Sequence, residues 1–157
     1  MLQLDSMDIK LLAALQNAGQ SSAVDLSKQL GLSASQIGRR RQRLEQEGFI
    51  ARAVFRLNPK VLGLDVQAFI QIQTDAQTGT THQSILELVN NRPEIVAAWT
   101  LTGEADYIFR VFCPSLPDLN DLIQNTLLPH SSISRVQSQV VMGEMLDDTA
   151  LPLGHLT

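Results

Sequence analysis

Hydrophobic spacing changes character near residue 60, and this divides one chain of 157 residues into two differently built modules. Before that point, apolar residues recur at helical intervals of three and four. After it, segments that alternate residue by residue, the period of a strand, are separated by helical ones. Charge changes at the same place. Residues 1–60 carry nine Lys/Arg against five Asp/Glu, whereas residues 61–157 carry three against eleven. The formal net charge of −4 therefore hides a cationic module joined to an anionic one. Local sign decides what a surface attracts, so the first module suits a polyanion such as nucleic acid and the second does not.

In the basic module, Asp5 or Ser6 is placed to cap a first helix whose stripe is Met7, Leu11, Leu12, Leu15 and Ala18, ended by Gly19. Ser21 or Ser22 caps a second, with Val24, Leu26 and Leu30 inward, Gly31 at its end and Leu32 buried in the turn. Ser33-Ala34-Ser35-Gln36 is a capping box that starts a third helix; such a cap contributes about 1 kcal/mol. Helix, glycine turn and capped basic helix together read as a helix-turn-helix. On the third helix Ile37 and Leu44 face inward, while Gln36, Arg39, Arg40 and Arg43 spread over the outward face and its flanks. Arginine offers paired hydrogen bonds to guanine and glutamine to adenine, each worth about 1–3 kcal/mol of discrimination. A merely solvated charged face is the alternative. The stretch Phe49–Leu57, followed by Asn58-Pro59, has strand-like content and predicts a two-stranded wing, with Arg52, Arg56 or Lys60 available to flanking phosphates. The DNA-binding set is then Ser33, Ser35, Gln36, Arg39, Arg40, Arg43 and Arg52.

In the acidic module, Val66, Ala68, Ile70 and Ile72 alternate with Gln67, Phe69, Gln71 and Gln73 as a strand. A helix from about Thr81 follows, ended by Asn91 and Pro93. Then come a strand at 95–101, a turn at 102–106, a strand at 107–113, a helix at 116–128 and a strand at 133–142. The fold class is therefore α+β, an N-terminal winged helix-turn-helix followed by a ferredoxin-like β-α-β-β-α-β domain. The bounds expected are 1–60, a linker at 61–65, the second domain at 66–143 and a tail at 144–157. Two helices cover one sheet face, so the other is buried by a second copy or left exposed; a dimer would also supply paired half-sites. Cys113, in an apolar run, reads as a small core residue. The start of the chain lacks the basic and apolar regions of an export signal, and no apolar run approaches the ~20 residues of a membrane span. A cytoplasmic protein without membrane association, metal or cofactor is expected.

Leu4-Asp5, Asp8, Leu11-Leu12, Leu15 and Gly19, then Leu26, Leu30-Gly31-Leu32-Ser33, Arg40, Leu44, Gly48 and Ile50 resemble the leucine-responsive regulatory protein (Lrp)/AsnC family. Asn58-Pro59, Leu62-Gly63 and Thr102-Gly103-x-x-Asp106-Tyr107 match in order, and the ending Ala150–Leu156 is similar to its proteobacterial leucine-responsive branch. The resemblance implies a bacterial or archaeal transcription regulator, not an enzyme, whose second domain (a RAM domain) senses a small amino acid such as Leu or Met. It implies partners in double-stranded DNA and in further copies of the chain, dimers assembling toward octamers with the effector held between dimers. Carried over by position, the effector residues are Thr102, Gly103, Glu104, Ala105 and Asp106, with Leu116, Ser138, Gln139 and Val140 on the facing surface. Turn amides would take the ligand carboxylate and Asp106 its ammonium; alternatively Gly103 and Asp106 only build the turn. Arg41 stands where the family has a β-branched core residue, so its stem is expected over the core and its head at the surface or paired with an acid such as Asp8. Two other functions fit the architecture. One is an effector-blind protein that organises DNA. The other is an enzyme similar to sirohaem decarboxylases, which would need His82, His130 or His155 in one pocket.

Overall fold

The computed structural model describes residues 4–17, 21–75, 78–146 and 149–156. It divides into two compact units, residues 1–56 with 146–157, and residues 57–145.

The first unit is three helices, α1 (Ser6–Asn17), α2 (Ala23–Leu30) and α3 (Ala34–Gln46). Asp5 and Asp8 cap α1 reciprocally: the Asp8 amide donates to the Asp5 carboxylate at 2.8 Å, and the Asp5 amide to the Asp8 carboxylate at 3.0 Å. Ser22 and Asp25 do the same for α2. Leu11, Leu12, Ala14, Leu26, Ile37 and Leu44 form the core, with Leu4, Leu15, Leu30, Leu32 and Ile50 packed against it. Val24, expected inward, is 54% exposed; an eight-residue helix has room for one buried stripe, and Leu26 and Leu30 occupy it. Ala18 and Gly19 lie outside the described residues. The tail belongs to this unit. The Leu151 amide donates to Gln16 Oε1 at 2.6 Å, the Gln16 amide donates to the Leu151 carbonyl at 3.4 Å, and Leu153 joins the core.

No wing forms. Residues 51–58 contain no strand, and Val54, Phe55 and Leu57 are exposed, Phe55 by 80%. Strand-like composition is not sufficient, because a strand also needs a neighbour to take its amides and carbonyls. The described chain supplies none here.

The second unit is built on β1 (Val66–Thr74), α4 (Gly79–Asn90), β2 (Ile95–Thr100), β3 (Tyr107–Cys113), α5 (Leu116–Leu122) and β4 (Ile133–Val140). The sheet order is β2-β3-β1-β4, antiparallel throughout. This is the expected β-α-β-β-α-β arrangement, with small shifts at its edges. Helix α4 starts two residues early because Thr78 caps it, accepting from the Thr81 amide at 3.1 Å. The expected long helix after β3 changes at Ile123 into a π-helical turn, Ile123–Leu127. Strand β4 stops at Val140, and Met142 is almost fully exposed.

Alternation decides which face is buried. Val66, Ala68, Ile70 and Ile72 of β1 and Tyr107, Phe109, Val111 and Cys113 of β3 pack under α4 and α5. The opposite face presents Phe69, Ile108 and Phe112 beside Gln67, Gln71 and Gln73, with half-exposed Trp99 opposite Ile108. No described helix is long and apolar enough to cross a membrane.

Cys113 is fully buried, and burial pushes its thiol up, with Glu94 and Asp118 adding to the shift. A thiol reagent such as DTNB is therefore expected to leave the native protein unmodified over minutes and to titrate one thiol per chain in 6 M guanidinium. Rapid modification of the native protein would contradict this core.

Candidate DNA-binding face and effector site

The turn between α2 and α3 is fixed at both ends. Gly31 takes a left-handed conformation, φ 67°, and its amide closes α2 on the Ser27 carbonyl. Ser33 then caps α3. Its hydroxyl accepts from the Gln36 amide at 3.2 Å, and Gln36 Oε1 accepts from the Ser33 amide at 2.9 Å. Ser35 lies 3.1 Å from the Ser33 hydroxyl. The Gln36 side-chain oxygen is thus committed to the cap, and its amide NH₂ is the group left for a base edge.

The four arginines of α3 have separate fates. Arg39 is exposed and forms no ion pair among the described residues. Arg40 and Arg43, expected on the outward face and its flanks, keep side chains 28% and 42% exposed, but both are tied to carboxylates. Arg40 reaches back to α1, with one guanidinium nitrogen 2.7 Å from Asp5 and 2.6 Å from Asp8. Arg43 donates to the other Asp8 oxygen, while its Nε, 4.0 Å from Glu47, is buried without a hydrogen-bond partner. Asp8 is 0% exposed and accepts from Arg40, Arg43 and the Asp5 amide. Arg41, expected with its head at the surface or paired with an acid, is at the surface and pairs with Glu45 one turn along its own helix, at 2.9 Å. The signal for this was present in the sequence. Asp5 and Asp8 are three apart on one helix, and Arg40 and Arg43 three apart on another. Each pair shares a face, with opposite sign. Arg52, assigned to a wing, sits in the exposed stretch after α3.

In the second unit the β2–β3 turn is tied to the end of β1. The Leu101 amide donates to the Asp106 carbonyl at 2.8 Å, and the Asp106 amide to Ile72 at 2.9 Å. The Asp106 carboxylate accepts from the Thr74 amide at 2.7 Å and the Thr74 hydroxyl at 2.8 Å. It anchors the turn, where an ammonium had been expected. Gly103, at φ 124°, makes the bend that side-chain-bearing residues rarely take. Ala105 is buried, the Glu104 carbonyl accepts from the Gln73 side chain at 2.8 Å, and the exposed Glu104 carboxylate lies 3.5 Å from Arg135. Gln71, Gln73, Arg135 and Gln137 line a small hollow with Glu104 and Ala105; sequence reasoning did not single out those four.

The nine effector residues are not brought together. Thr102–Asp106 precede the Tyr107 end of β3, while Leu116, 58% exposed, follows its Cys113 end. Seven strand residues separate them, roughly 23 Å at ~3.3 Å per residue. Ser138, Gln139 and Val140 pair with Ile70, Phe69 and Ala68, further along the sheet from the turn. A groove of about 430 Å³ lies at the Leu116 end, lined by Arg92, Glu94, Phe112, Asp118, Asp121 and Leu122 among others. The histidines have ordinary neighbours. His82 stacks on Tyr107 at 6.1 Å, His130 contacts Ser84 at 3.2 Å, and His155 belongs to the other unit.

Comparison with known proteins matches residues 4–45 to the AsnC-type helix-turn-helix domain and residues 67–151 to the Lrp/AsnC ligand binding domain. The Bkd operon transcriptional regulator of Pseudomonas aeruginosa is 30% identical over 98% of this chain and 100% of its own length. The glutamate uptake regulatory protein of Zymomonas mobilis is 30% identical over 96% and 92%. A transcriptional regulator of Neisseria meningitidis, solved with L-Met, superposes with a TM-score of 0.93 at 33% identity, covering 99% of this chain and 100% of that one. Escherichia coli AsnC superposes with a TM-score of 0.82 at 27% identity, over 93% and 97%.

Removing the Asp8 carboxylate leaves two guanidinium groups facing a site that had held them, so Asp8→Ala is expected to cost about 3 kcal/mol in urea unfolding. Arg41→Ala, which breaks only an exposed pair, is expected to cost within about 0.5 kcal/mol. The hydrogen bond from Arg40 holds the Asp5 carboxyl below the usual aspartate range. Its contribution is fully present above about pH 4 and lost as pH falls through the lowered native value. Asp5→Asn is expected to be less stable than the parent at pH 7 and to converge with it as the pH falls through the lowered native value, as measured by unfolding across that range.

Proposed function

The chain belongs to the Lrp/AsnC family of transcriptional regulators, and from that premise we propose how its two units divide the work. Helix α3 enters the major groove with Ser33, Ser35 and the Gln36 amide at its first turn and Arg39 on its exposed side. Arg52 lies on the segment that follows, available to a flanking phosphate. The observation that carries this is the doubly fixed start of α3, where Gly31 and the Ser33–Gln36 box set the end of the helix that would meet base edges.

The second unit binds a small amino acid, and the proposed effector is apolar, with L-Met first because the Neisseria regulator was solved with it. Turn residues at one end of the sheet and Leu116 at the other cannot both touch one small ligand within a single chain. The effector therefore sits between copies, with the Thr102–Ala105 turn of one against Leu116 and Ser138–Val140 of another. Glu104, rather than Asp106, is the carboxylate available for the ammonium. The open sheet face, with Phe69, Ile108, Phe112 and Trp99, and the exposed Val54, Phe55 and Leu57 are apolar surfaces that a second copy would bury. We place the assembly in the cytoplasm, as a regulator rather than an enzyme. A second reading, an effector-blind protein that organises DNA, is favoured by the commitment of Asp106 to Thr74.

Duplex affinity is expected to fall with added salt, with a log–log slope of about −0.9 per phosphate contacted. Binding that ignores salt would remove the DNA reading. A thermal-shift screen against the twenty amino acids separates the two effector readings, since a ligand at 100 times its Kd adds about 2.7 kcal/mol. A shift with L-Met or L-Leu that Glu104→Ala abolishes is the expected result; no shift with any amino acid favours the second reading.

A further inference from the structure

We infer that Asp8 is a specificity-determining residue of DNA recognition, because it withholds two arginines of α3 from the phosphate backbone. This rests on the reading that α3 is the helix facing DNA. Of the four arginines within Arg39–Arg43, Arg39 alone forms no ion pair among the described residues. Arg41 is held by an exposed partner on its own helix. Arg40 and Arg43 meet a carboxylate with no exposure to water, each on a different oxygen, and Arg40 is also bound by Asp5.

An exposed arginine moves to a phosphate at little cost. One whose partner is a buried carboxylate does so only by giving up part of what compensates that buried charge. Asp8 thereby sets how many cations this helix can present. Phosphate contacts strengthen binding to every sequence alike, whereas base contacts separate one sequence from another. A helix that spent all four arginines on phosphates would hold any duplex tightly and tell sequences apart poorly. Withholding Arg40 and Arg43 shifts the balance toward the residues at the start of the helix. Asp5, half exposed, makes the smaller contribution, because it holds Arg40 alone.

The test uses the full chain, a duplex enriched by the parent protein from a random pool, and an unselected duplex of equal length. Fluorescence anisotropy is measured at several salt concentrations. For Asp8→Asn, affinity for the unselected duplex is expected to rise at least threefold at low salt. Its log–log slope should steepen by about 0.9 for each arginine released, and the ratio of selected to unselected affinity should fall. Asp5→Asn, which keeps a helix-capping side chain, should move all three in the same direction by less, and it decides the matter if Asp8→Asn does not fold. Asp8→Glu should return toward the parent slope. Affinity for both duplexes falling together with the slope unchanged is the signature of a merely structural aspartate, and it overturns the inference; so does no change in either variant. If the parent itself binds no duplex in a salt-dependent way, the underlying DNA reading fails as well.

Discussion

A carboxylate with no access to water, shared by two arginines of another helix, fixes how the first unit is put together. Asp8 caps α1 at its start and grips α3 through Arg40 and Arg43, so one side chain sets both the beginning of a helix and its packing against the next. Burying such a charge is costly unless every oxygen is satisfied, and here both are. The apolar core beside it is small, six buried side chains with six more leaning on it, as expected for a unit of this length. Ile37 and Leu44 locate α3 in depth, and the ion network settles which arginines remain at the surface. The position of Ser33 and the cation count of the exposed face both follow from that arrangement.

The second unit uses a carboxylate in the same manner. Asp106 looks in sequence like a group waiting for an ammonium, yet one of its oxygens takes both the Thr74 amide and hydroxyl and joins the β2–β3 turn to the end of β1. The turn is thus tied by the protein's own hydrogen bonds at the Asp106 end and through the Glu104 carbonyl. Gly103 supplies the bend, and Glu104 is left projecting beside Arg135. In both units, then, an aspartate ties two elements together through its carboxylate, with a more exposed acid beside it.

Most of the architecture could be read from the chain alone, for a reason visible in particular residues. The alternation from Val66 to Gln73 is buried on one side, so the pattern and its register are set by one strong constraint. The capping boxes at Ser22 and Ser33 are local, needing nothing beyond four residues. What could not be read depends on partners distant in sequence. The stretch 49–57 has the composition of strands, yet no strand forms within it among the described residues. Val24 matched a helical stripe and lost its place to Leu26 and Leu30. Arg40 and Arg43 fell on an outward arc of the helical wheel, but α1 lies against that arc. The effector residues, assigned by position in a family, fall on both sides of β3, as the strand expected between them implies, while the partners of Ser138–Val140 on β1 emerge only from the pairing register.

The polypeptide leaves the first unit after residue 56 and returns to it from residue 146, so in topology the second unit is an insertion within the first. Leu151 and Leu153, which clasp α1 and lean on its core, are synthesised after the whole of the sheet. The helical segment emerges first but lacks those pieces until the sheet has been synthesised. A gene fragment ending at the obvious boundary would encode a helix-turn-helix with an open flank on its core. The core of the helical unit can therefore close fully only once the sheet between its two pieces has been translated.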